Sequence, residues 1–200
     1  MKPAEQERTN RRSHRLRMHY SNRNLSADSA ALLHPVNKPK AAFAILYAGA
    51  VCGVLDITAA CINAWLASGF APEHVLQSVA GGLLGRRTYE GGLATASLGL
   101  VMHFTMALTV TTAFYLLTRR FPLPRKLAAV IAVGLLYGLA VFAVNNFGTA
   151  SFLSWVRSLY LRTPILFKPP MGWSQLVIHL FCVGLPIALV TRRYASSSDR

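Results

Sequence analysis

The sequence predicts an all-α fold: a four-helix transmembrane bundle with two short interfacial helices on its outer side. Three observations predict it. Hydrophobic residues make up 53% of the 200 residues and charged residues only 14%, against about 25% charged in an ordinary soluble domain. Four runs reach the roughly 20 apolar residues that a membrane helix needs. All 21 Lys and Arg fall between those runs, none inside them. The apolar content excludes a disordered chain, and three Cys are too few for a disulfide scaffold. The net charge of +14 would fit nucleic acid only if the basic residues formed a patch on a soluble domain. They sit where membrane proteins carry topology signals, so no nucleic-acid partner is expected.

Residues 1–42 form a basic tail with nine Lys and Arg against Glu5, Glu7 and Asp28, and Tyr20 as the lone aromatic residue. Such a segment cannot build a core and is expected to be a disordered cytoplasmic tail. Anionic lipid headgroups would attract it by about 1 kcal/mol per basic residue near the surface. Met18 offers an alternative start within it. The first span, about 43–66, follows this long polar tail and exceeds the ~7–15 residues of a signal-peptide core. Arg11-Arg12 lies too far from it for a twin-arginine signal.

The first connection contains PEHVLQSVAGGLLG, residues 72–85. Pro72 suits the first helical position and Glu73 the first turn. Val75, Leu76, Val79 and Leu83 share a face, which predicts an interfacial helix. The second span covers about 93–117 and the third about 127–147. In the third connection Phe152, Trp155, Val156 and Leu159 predict a second interfacial helix, stopped by Pro164, Pro169 and Pro170. The fourth span, about 173–191, tolerates its internal Pro186 because membrane helices accept kinks. Residues 192–200 form the second cytoplasmic tail. The N-terminal tail holds nine basic residues, the second connection four and the C-terminal tail three; the other two connections hold two and three. Sixteen against five places both termini in the cytoplasm.

Ionisable residues inside a membrane are expensive: an Asp at the centre costs about 2.5–3.5 kcal/mol on insertion scales. Counting at 1.5 Å per residue puts Asp56 roughly 20 Å from the inner face, His103 roughly 21 Å and His179 roughly 18 Å. Three helices thus carry an ionisable group at one level. The candidate intramembrane polar cluster is Asp56, Asn63, His103, Asn145 and His179. Gly49, Gly53 and Ala60 share the Asp56 face. Gly92, Ala96, Gly99 and Ala107 share that of His103, and Gly134 and Gly138 that of Asn145. Small residues let helices approach, so these polar groups should face inward, while Cys52, Cys61 and Cys182 read as small buried hydrophobes.

The stretches GVLDITAACINAW (53–65), VLQSVAGGLLG (75–85) and GLVMHFTMA (99–107) resemble a set of uncharacterised four-helix bacterial inner-membrane proteins, over roughly residues 43–150. The resemblance implies membrane class and a bacterial inner-membrane location, and no activity. P-loop, GxGxxG, HExxH and GxSxG motifs are absent, so no catalytic residue is assigned. The polar cluster is expected to be structural, since interhelical hydrogen bonds commonly serve packing alone. The alternative is a proton-coupled small-molecule transporter or transporter subunit, with Asp56 and the two His as a relay. Least favoured is a haem or metal site on His103 and His179; no cofactor is predicted. The expected partners are the bilayer and a second copy of the chain.

Overall fold

The computed structural model describes residues 38–161 and 172–195, and no strand occurs among them. The expectations for the basic tail up to residue 37, for Pro164, Pro169 and Pro170, and for residues 196–200 lie outside the described residues. Helix α1 runs Lys38–Ser68. Its 31 residues span about 46 Å at 1.5 Å each, more than the ~30 Å of a bilayer's hydrocarbon core. It stops at Gly69, whose φ of 68° lies in the left-handed region that glycine enters without a Cβ penalty. Helix α2, Pro72–Leu84, starts on a proline in its first turn. It ends at Gly85, again at a φ of 68°, and a 3₁₀ turn over Gly85–Glu90 leads into α3, Gly92–Arg120.

Helix α4, Leu127–Ala143, passes without a break through a π-helical turn, Val144–Thr149, into α5, Ala150–Leu161. The sequence placed the end of the third span near Phe147 and a separate amphipathic helix beyond it. The polypeptide instead stays helical, because the π turn absorbs the Asn145-Asn146 pair. The Asn146 amide donates to the Phe142 carbonyl at 2.9 Å, satisfying an acceptor within the disturbed ladder. Helix α6, Trp173–Ile178, meets a second π turn, His179–Gly184, and continues as α7, Leu185–Ala195. Pro186 explains the wide turn: it has no N–H to give to the preceding turn.

Four segments are long and apolar enough to cross a membrane: Ala41–Ser68, Gly92–Arg120, Leu127–Leu159 and Trp173–Tyr194. They are spans 1 to 4 below, and the chain is a helical membrane protein. Span 4 is the most enclosed, with 39% of its apolar window buried against 22% in each of the others. All four meet in one core of Cys52, Ala107, Phe114, Val130, Val141, Val183, Ile187 and Ala188. Spans 3 and 4 touch backbone to backbone. A methyl group built on Gly138 would stand 2.8 Å from Leu180 Cα, and one on Gly184 would collide with the Gly134 carbonyl oxygen. Spans 1 and 2 meet through Gly49 against Leu108 and Gly53 against Phe104 and Ala107. Lipid is as apolar as leucine, so such close packing, not hydrophobic exclusion, holds membrane helices together.

At the end of the bundle where α1 begins and α7 ends, Tyr194 sits edge-on to Phe43 and Tyr47, with centroids 5.6 and 6.3 Å away. The opposite end is closed by α2, which folds back along the first turns of α3. The sequence put Val75, Leu76, Val79 and Leu83 of α2 together on one apolar face of an interfacial helix. In the structure those positions are only half-buried, and the buried ones are Gln77 and Ala80. Gly99 decides this: its missing side chain leaves room for the Leu76 carbonyl, which rotates Gln77 and Ala80 onto α3.

Candidate functional site

Span 1 builds the site on one stripe. Ala44, Ala48, Cys52 and Asp56 recur every fourth residue, the helical interval that keeps side chains on one face. The first three are buried and Asp56 is half-buried. Gly53, on the same side, lets span 2 approach, and His103 of span 2 uses the opening. Its Nε2 lies 2.9 Å from the Gly53 carbonyl oxygen. A carbonyl can only accept, so Nε2 carries the hydrogen and donates. The other ring nitrogen, Nδ1, stands 3.9 Å from Asp56 Oδ2. The distance is too long for a direct hydrogen bond and short enough for strong electrostatic coupling in a medium of low dielectric. His103 packs edge-on against Phe104, with centroids 5.4 Å apart, which fixes its ring.

Span 4 supplies His179 at the start of its π turn. The side chain is buried, and its Nδ1 donates to the Gln175 carbonyl at 2.8 Å. Phe142 of span 3 packs edge-on at 5.6 Å. His179 and His103 are both electrostatic partners of the Asp56 carboxyl. Three of the five residues singled out from the sequence therefore come together. Asn63 and Asn145 do not: both are half-buried, and neither bonds to Asp56 or to either histidine. Asn146 is the buried member of the asparagine pair, and it bonds within its own helix.

One turn before Asp56, Cys52 donates to the Gly49 carbonyl at 3.4 Å and lies 3.7 Å from the Thr111 hydroxyl. Beyond it Tyr137 of span 3 donates to the Val110 carbonyl at 2.6 Å. These bonds tie spans 1, 2 and 3 together beneath the cluster. Among the described residues, no group of three or more His, Cys, Asp or Glu is arranged to hold a metal ion.

A second polar knot was missed in the sequence. Gln77 of α2 is 5% exposed, and its amide reaches the Gly92 carbonyl at 3.2 Å and the Thr95 hydroxyl at 3.5 Å. Thr88, fully buried, donates to the Gln77 carbonyl at 2.9 Å. Thr95 donates to the Thr88 carbonyl at 2.6 Å. Arg157, on the continuation of span 3, donates to the Gly81 carbonyl at 3.0 Å, closing the C-terminal end of α2 as basic side chains do at helix ends. The available signal was a lone glutamine amid the apolar residues of a short helix.

No known protein family, curated protein or solved structure matches this chain.

Proposed function

We propose that the chain is a multi-pass protein of the bacterial inner membrane with both termini in the cytoplasm, and that Asp56, His103 and His179 clasp its helices in register. The 2.9 Å bond from His103 Nε2 to the Gly53 carbonyl carries the clasp, because it joins two spans directly, side chain to backbone, within their apolar stretches. The sixteen-to-five distribution of basic residues supports the orientation, and the basic tail fits anionic lipid headgroups. Reporter fusions at Ala80 and after Arg200 test the topology: the expected result is a periplasmic signal at the first and a cytoplasmic one at the second.

The clasp has its own test. Asp56→Asn keeps the shape and polarity of the side chain and should melt in detergent nearly as the wild type does. Asp56→Leu leaves the imidazole without its polar neighbour and should cost about 1–3 kcal/mol. Equal melting of all three would remove the clasp.

A second reading is proton-coupled transport of a small molecule. One observation favours it: the Asp56 and His103 side chains keep 19% and 11% of their surface accessible, so protein atoms do not fully enclose the pair. Flux in liposomes that follows a proton gradient and vanishes in Asp56→Asn is the expected result.

A further inference from the structure

We infer that the Asp56–His103 pair binds one exchangeable proton at mid-membrane, a site whose ligand is the proton itself. The inference rests on the placement of Asp56 against His103 in the clasp, and it follows from counting hydrogens. His103 Nε2 faces the Gly53 carbonyl at 2.9 Å, so it keeps its hydrogen in every state of the site. Nδ1 faces Asp56 Oδ2 at 3.9 Å. With the carboxylate ionised and the imidazole neutral, two lone-pair atoms would oppose each other. The cluster would then hold a net negative charge in a medium that penalises it heavily. One further proton removes both faults.

That proton occupies one of two positions. On Oδ2 it makes a neutral acid beside a neutral imidazole; on Nδ1 it makes a carboxylate beside an imidazolium. Passage from the first to the second breaks the O–H bond and forms the N–H bond. The lone pair of Nδ1 becomes the new bonding pair, and the net charge of the two residues stays at zero. The 3.9 Å gap exceeds hydrogen-bond length by roughly 1 Å, so the proton belongs to one atom at a time. Closure of that gap, or one bridging water, moves it.

The surrounding titratable groups leave this role to the pair. Span 4 adds His179, the first electrostatic partner of Asp56. Its Nδ1 is committed to the Gln175 carbonyl. Cys52, one turn away, directs its thiol hydrogen to Gly49. Tyr137 of span 3 gives its hydroxyl hydrogen to Val110.

The test uses the full-length protein in lipid nanodiscs. Nitrogen-15 spectra of labelled histidine report both ring nitrogens, and infrared difference spectra report a protonated carboxyl. The expected wild-type result is a protonated Nε2 on His103, together with either a carboxylic-acid band or an imidazolium signature. Asp56→Asn should abolish that band or signature and lower the proton uptake of the protein on acidification by one per chain. An ionised Asp56 beside a neutral His103, or a His103 with a bare Nε2, overturns the proposal. His103→Gln separates this outcome from the clasp. Its amide still donates to Gly53 but offers no basic nitrogen, so melting should hold, any imidazolium signature should vanish, and the proton should remain only as a carboxylic-acid band of Asp56. If His103→Gln melts as early as His103→Ala, the clasp fails, and the spectra of Asp56→Asn still decide the proton.

Discussion

The polar knot around Gln77 and the cluster around Asp56 both lie between packed helices of a helical membrane protein, yet their hydrogen-bond accounts differ. In the knot, Gln77, Thr88, Thr95 and Arg157 each give hydrogens to an acceptor within 3.2 Å. In the cluster, each histidine commits one nitrogen to a backbone carbonyl and leaves the other unspent, and the carboxylate stands 3.9 Å from the nearer ring. Fully bonded polar groups rigidify, while partly bonded ones keep capacity for another ligand. The knot is therefore read as architecture and the cluster as the place where chemistry remains open.

The largest effect should come from the seat beneath the knot. Gly99→Leu drives a side chain into the Leu76 carbonyl and should cost about 3 kcal/mol, seen as a lower melting temperature and faster proteolysis within α2. Unchanged stability would show that α2 does not rest there. Gln77→Leu comes next: it strips partners from Gly92 and Thr95 and should cost about 2 kcal/mol. Arg157→Ala removes a single partly solvated bond to Gly81 and should cost about 1 kcal/mol, with the loss confined to hydrogen-exchange protection at the C-terminal end of α2. The smallest effect belongs to the cluster. Asp56→Asn should change the melting free energy by less than about 0.6 kcal/mol, the average for a bond between membrane helices. A loss as large as that of Gln77→Leu would erase the distinction between the two regions.

The spans were legible because twenty consecutive apolar residues leave a chain few alternatives. The meeting of Asp56 and His103 was legible because depth along a helix is a count of residues. The continuation of span 3 past Phe147 was not, since Asn145, Asn146 and Gly148 look like a stop. Only the π turn, with the Asn146 amide folded back onto Phe142, shows how the helix survives them. The buried face of α2 was hidden for another reason. Thirteen residues of mixed character offer two inward faces, and a glycine on a different helix chooses between them. Asn63 and Asn145 were grouped with the cluster by type and face, and neither criterion carries the azimuth that bonding requires.

The contact between spans 3 and 4 has a genetic consequence. Gly138 and Gly184 each meet main-chain atoms of the opposite helix, so the seam has no side chain that could be trimmed in compensation. A single-nucleotide change in a glycine codon yields only larger residues or a stop. Every missense allele at these two positions should therefore be a loss-of-function allele. A suppressor cannot arise by shrinking the facing residue, because at the point of contact the facing atoms belong to the backbone.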